Sequence, residues 1–140
     1  MELREKVEKI RDSLFRAVNR LTDALKQEKS EFIRDSVVQR FEFSFELCWK
    51  LMKLVLAYLG SENCNSPREC ITVSAGVGLI DNPEKWLDYL ELRNLSVHMY
   101  SQKMAEDVYE LASDFVEDVK KLEKVVEEKL GRVLYNLEYG

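Results

Sequence analysis

Apolar residues recur along this chain at steps of three and four, the spacing of one face of an α-helix. Over about residues 2–28 the stripe is Leu3, Val7, Ile10, Leu14, Val18, Leu21 and Leu25, with charged residues between. Gln27-Glu28-Lys29-Ser30 interrupts it. A second stripe, Ile33, Val37, Phe41, Phe45, Cys48, Met52, Val55 and Leu59, predicts a helix from Glu31 to Leu59. Within it Val38, Phe43, Trp49 and Leu56 point to another side. A helix apolar on more than one face needs more than one neighbour. This helix is therefore central in a bundle or shared with another subunit, and Gly60 stops it.

Ser66-Pro67-Arg68-Glu69 reads as a capping box with proline at the first helical position. It predicts a short helix that dies near Gly76 and Gly78. Asp81-Asn82-Pro83-Glu84 opens the next helix by the same logic. The last helix is expected over about Ser101 to Leu130, on the stripe Met104, Val108, Leu111, Phe115, Val119, Leu122, Val126 and Leu130. Gly131 is expected to end it, leaving residues 131–140 free to fray or to pack on a partner. No segment reads as a strand. The expected architecture is all-α: an antiparallel four-helix up-and-down bundle with one additional short helix, in a single domain over residues 1–140.

Composition narrows the function classes. Hydrophobic residues make up 46% of the 140, enough for a sizeable core without metals or disulfides, and 5 Gly and 2 Pro suit long helices. The net charge of −5 excludes a broad nucleic-acid-binding face, so any RNA contact has to be a local cleft. The three cysteines, Cys48, Cys64 and Cys70, form no C-x-x-C pair, and with a single histidine no metal site is expected. Cys48 lies on the apolar stripe and reads as a core thiol. A Cys64–Cys70 disulfide is chemically possible, but a reducing cytosol argues against it. Met1-Glu2-Leu3-Arg4-Glu5-Lys6 is charged and is no signal peptide, and no apolar run reaches membrane-spanning length. A cytoplasmic location without membrane contact is expected.

The chemistry-bearing residues are concentrated in Arg93-Asn94-Leu95-Ser96-Val97-His98-Met99-Tyr100, which holds the only histidine. Imidazole is the side chain whose ordinary titration falls near neutral pH, and guanidinium is a permanent cation with a planar fork suited to phosphate. On a helix, Trp86, Leu90, Arg93, Val97 and Tyr100 share one stripe, so an arginine interrupts an apolar line. A half-buried guanidinium needs an anion, either a carboxylate such as Glu42 or Glu46 or the phosphate of a ligand. Asn94 and His98 are i,i+4 neighbours, so the amide can fix the imidazole tautomer or bond the same ligand. Arg93 and His98 are about 140° apart on an ideal helix. For both to face one phosphate, the helix must deform or two copies of the motif must meet across a dimer axis. The bland reading of the same residues is a packed histidine and a structural ion pair, and the Phe41-to-Trp49 run reads as core and interface.

Arg93-x4-His98-x-Tyr100 resembles the signature of HEPN domains, the Arg-x4–6-His helical nucleases. The chain is more closely similar to the nucleotidyltransferase substrate-binding branch of that superfamily, through Arg34 to Lys50, Ser66 to Glu69 and Arg93 to Tyr100 in that order. The resemblance implies a homodimeric bundle and a separate partner, a minimal nucleotidyltransferase encoded nearby. It implies an RNA-cleaving toxin without a cofactor, silenced when the transferase attaches AMP to the motif tyrosine, here Tyr100. The alternative role in this branch is a non-catalytic subunit that binds substrate or nucleotide for the transferase.

The mechanism the resemblance implies is metal-independent: a ribose 2′-OH attacks the adjacent phosphorus, giving a 2′,3′-cyclic phosphate and a free 5′-OH. His98 is the implied general base or acid and Arg93 the cation facing the phosphorane oxygens. Asn94 and Glu46 are supporting residues. AMP on Tyr100 is expected to put bulk and negative charge on the Arg93 face.

Overall fold

The computed structural model describes residues 2–61 and 63–139, with side chains described as far as residue 131. Five helices follow one another: α1 (Leu3–Leu25), α2 (Glu31–Tyr58), α3 (Pro67–Gly76), α4 (Pro83–His98) and α5 (Gln102–Tyr139). The fold is all-α, four long helices and one short one. α2 touches each of the other four helices, as its second apolar side required. Val38 and Leu56 of that side are buried, whereas Phe43 is 60% exposed.

Helix starts follow from local chemistry. The Ser30 hydroxyl accepts the Ile33 N–H at 3.1 Å and caps α2. Ser66 caps α3 through the Glu69 N–H at 3.2 Å, and the Glu69 carboxylate accepts the Asn65 N–H at 3.2 Å. That reciprocal pair draws the loop back over the first turn of α3. Cys64 and Cys70 then have Cα atoms 5.1 Å apart, and their sulfurs are bonded. The disulfide that a reducing compartment argued against is therefore present, because the capping loop brings the two thiols within bonding reach. Cys48 is a buried free thiol, and burial pushes its pKa well up.

Three boundaries differ from expectation. α4 stops at His98, and Met99 is extended (φ −150°, ψ 97°), so Tyr100 lies beyond the helix. Val97 is accordingly off the apolar stripe, 53% exposed, and the buried side of α4 is Trp86, Tyr89, Leu90 and Ser96. Gly131 does not end α5, which continues to Tyr139. A mid-helix glycine costs about 1 kcal/mol, and stopping a helix takes a left-handed residue or a proline as well. The expected tail at 131–140 is thus helical to Tyr139, and Gly140 lies outside the described residues. Asn82 precedes α4 without capping it; its amide donates to Asp118 at 3.1 Å instead.

The core seats α4. Phe41 of α2, Trp86 and Tyr89 of α4 and Phe115 of α5 are all buried and meet edge to face. Ring centroids lie 4.9 Å apart for Phe41–Phe115, 5.2 Å for Tyr89–Phe115 and 5.6 Å for Trp86–Tyr89. Such pairs contribute about 0.5–1.5 kcal/mol each beyond their burial. The Tyr89 hydroxyl donates to the buried Asp118 carboxylate at 2.5 Å, and burial with that bond pushes the phenol pKa far up. Tyr89→Phe removes one of the two side-chain donors to a carboxylate that is 7% exposed. We expect a loss of about 1–3 kcal/mol, read as a lower urea midpoint at unchanged m-value. A change within measurement error would mean that Asp118 is not held by Tyr89.

Candidate active site

α4 presents its motif residues on two sides. Arg93 faces α2: its Nη1 is 3.7 Å from Glu46 Oε2 and its guanidinium lies 5.5 Å from the Phe45 ring centroid. Of the two carboxylates that the stripe pointed to, Glu46 is the partner. The pair is half-open, with side chains 20% and 37% exposed. Arg93 Nε is buried with no hydrogen-bond partner.

His98 and Asn94 face the other way, into a cleft between α3 and α4 lined by Arg68, Leu90, Glu91, Asn94, Leu95 and His98. The structure thus brings His98 and Asn94 together and keeps Arg93 from them, as their 140° separation on a helix requires. α4 remains helical as far as His98, so deformation does not reunite the pair within one chain. No hydrogen bond or ion pair within 4 Å holds His98 among the described residues, so its imidazole is open to a ligand.

Tyr100 occupies a third position. Its hydroxyl donates to Asp35 near the start of α2, and that bond raises the phenol pKa, with Arg34 pulling the other way. Asp35 and Glu46 are 11 positions apart on α2, so Tyr100 anchors roughly 16 Å along that helix from the Arg93 ion pair. The expectation that Tyr100 and Arg93 share one face is corrected: the end of α4 at His98 turns the chain away.

Beside Tyr100 is a network the sequence reading missed. Arg34 is buried and donates to Asp35, to Gln102 and, at 3.2 Å, to Glu106. Glu106 also accepts from Lys29 at 2.6 Å, and these two cations hold its carboxyl below the usual range. The signal was available: Arg34 sits three residues before Val37 on an apolar stripe, the same anomaly that marks Arg93. Arg68 was read as part of a capping box and of one stretch carrying the family resemblance, without a site role, and α3 carries it to the His98 cleft. Among the described residues, no three His, Cys, Asp or Glu side chains converge as metal ligands, and no helix is long and apolar enough to cross a membrane.

A five-helix bundle with Arg-x4-His at the end of its fourth helix is the arrangement that the resemblance to HEPN domains implied. A family model described as nucleotidyltransferase substrate binding protein like matches residues 8–128. The chain belongs to that family. Over 83 residues it is 31% identical to a Haemophilus influenzae protein called probable ribonuclease HepT. That match covers 56% of this chain and 57% of the relative. Among solved structures, a Thermus thermophilus protein is similar at a TM-score of 0.71 and 27% identity, over 84% of this chain and 98% of that one. The fold is also that of a tri-AMPylated Shewanella oneidensis HEPN toxin solved in complex with its MNT antitoxin (TM-score 0.74, 20% identity, 87% and 96% covered).

The Arg93–Glu46 geometry generates a test of the bland reading. Half-exposed pairs contribute about 1 kcal/mol or less. Glu46→Gln is expected to lower stability by no more than that in urea unfolding. A loss several times larger would make Arg93 a structural residue that clamps α4 to α2.

Proposed function

We propose that this chain is the RNA-cleaving subunit of a toxin–antitoxin pair whose partner is a minimal nucleotidyltransferase. The observation that carries this reading is the open His98–Asn94 cleft, with no partner among the described residues on the only imidazole in the sequence. A histidine placed for packing would be buried or bonded, and His98 is exposed at the end of α4. The relative called a probable ribonuclease and the toxin complex that shares the fold agree with it.

The proposed reaction is transesterification within the RNA strand. The ribose 2′-oxygen bonds to the adjacent phosphorus, its proton passes to the His98 imidazole, and the bond to the 5′-oxygen breaks with a proton returned to that oxygen. Asn94, one turn back, orients the imidazole. Arg93 cannot serve the same phosphate within one chain, so the reading requires a second copy. Leu95, Val97, Met99 and Tyr100 leave an apolar rim around the end of α4, between 47% and 71% exposed, which suits burial in a homodimer. In that dimer Arg93 of one copy and His98 of the other meet at a shared site.

Silencing by AMP follows a separate geometry. The Tyr100 oxygen attacks the α-phosphorus of ATP, pyrophosphate leaves, and Asp35 is placed to receive the phenolic proton. The bulk of the adduct at the dimer rim, rather than direct competition for Arg93, then blocks RNA.

The second reading, a binding subunit for the transferase, draws on the ion pair that already occupies Arg93 in the single chain. Two experiments decide. Single-turnover cleavage of a single-stranded RNA pool should fall at least a hundredfold in His98→Ala, with wild-type activity confined to the unmodified protein. Full activity in His98→Ala would sink the nuclease reading. Incubation with the neighbouring transferase, ATP and magnesium should add the mass of AMP at Tyr100 and nothing in Tyr100→Phe. A stable complex without any adduct would favour the binding subunit.

A further inference from the structure

We infer that the His98 cleft is a phosphate site whose own cation is Arg68. The inference deepens the reading of that cleft given above and rests on it for the reaction, but not for the binding of phosphate.

The two arginines near the motif differ in what already neutralises them. Arg93 is paired with Glu46, stacked over Phe45 and turned toward α2. Arg68 is exposed, lines the cleft that His98 and Asn94 line, and forms no ion pair within 4 Å among the described residues. A phosphate entering this cleft therefore meets an uncompensated guanidinium on one wall and an imidazole with an amide on the other. A planar fork beside a ring nitrogen is the donor set that a phosphodiester, with two non-bridging oxygens, can satisfy at once. Glu91 lines the same cleft and is the one carboxylate there. Its charge opposes a phosphate, so the cation of Arg68 has to outweigh it for an anion to bind.

The local structure fixes Arg68 where it is needed. It stands at the second position of α3, directly after Pro67, whose ring sets the helical φ. Ser66 caps this turn through Glu69, and Cys64 is bonded to Cys70 across it. The backbone beneath Arg68 is thus held on both sides, so little backbone freedom remains to be lost when the side chain closes on an anion. Leu90 and Leu95 give the cleft an apolar floor that strengthens a charge-assisted bond.

The phosphate has two sources under the readings above, an RNA strand or a nucleotide delivered with the transferase. Two probes separate them: a fluorescent single-stranded 2′-O-methyl RNA, which has no free 2′-OH to attack, and a fluorescent ATP analogue, titrated by anisotropy against the wild-type protein. Arg68→Ala should weaken the probe that belongs to the site about tenfold. For RNA it should also lower the salt slope by about one ion. Arg68→Lys should restore the slope and part of the affinity, because the charge returns without the fork. Circular dichroism melts of each variant check that α3 is intact.

Loss on RNA alone assigns the site to the strand, and loss on the ATP analogue alone assigns it to the nucleotide. Equal affinities for both probes with and without Arg68 would overturn the inference, as would failure of the wild-type protein to bind either. The parent reading fails separately: retained cleavage by His98→Ala removes the nuclease while leaving an Arg68-dependent affinity intact.

Discussion

The seat of α4 in the core is the constraint on which the rest of the molecule depends. Trp86 and Tyr89 lock into Phe41 and Phe115, and Tyr89 and Asn82 together hold the buried Asp118. That arrangement fixes the rotation of α4 about its axis. With the rotation fixed, Arg93 must face α2, and His98, five residues on, must face α3. A slip by one residue would carry every side chain about 100° round the helix and empty both contacts. The polar part of the anchor adds directionality that ring packing alone lacks, because a buried carboxylate left without donors is costly.

The consequence is a division of labour along one helix. Arg93 has an ion-pair partner inside the chain, Glu46, whereas Arg68 has none within 4 Å among the described residues. A protein carrying a net charge of −5 cannot collect a polyanion by its overall field. It can hold one phosphate where a free cation, an open imidazole and an apolar floor coincide. Tyr100 is tied to a different place again, through Asp35 to the Arg34–Glu106 network at the start of α2 and α5. The proposed modification at Tyr100 would therefore act on assembly and access at the rim, at a distance from His98.

Most of the architecture was legible in the sequence because helical periodicity and capping are local. The stripes of α1, α2 and α5 are the buried faces, and Ser30, Ser66 and Gly60, whose φ is +73°, do what their types suggest. The errors have non-local causes. Asn82 abandons its capping role for Asp118, 36 positions away, and no pattern near Asn82 announces that partner. Tyr100 continues the spacing of the α4 stripe, yet the helix ends two residues before it. Gly131 reads as a stop and is absorbed into α5. The Cys64–Cys70 bond was weighed by compartment, although the reach between the sulfurs was set by the Ser66–Glu69 cap. As for the site, the pairing of Asn94 with His98 and of Arg93 with a carboxylate followed from helix geometry. Arg68 did not, because its arrival at the cleft depends on how α3 packs against α4.

The separation of Arg93 from His98 also bears on why such a motif suits a dimer. If both groups faced one cleft in a single chain, the site would be complete on synthesis. Placed on opposite sides of α4, they converge only when a second copy brings its own α4 alongside. The exposed apolar residues Leu95, Val97 and Met99 surround the end of α4, on the surface that a second copy would cover. In the proposed dimer, burying them would drive association, and the same association would supply each cleft with a second cation. Arg68 would hold the phosphate from within the chain, and Arg93 of the second copy would meet the charge that grows as the phosphorane forms. An adduct on Tyr100, which is half-exposed and two residues from His98, would stand at that rim. The proposed activity and its control would thus both depend on the one element whose rotation the aromatic core fixes.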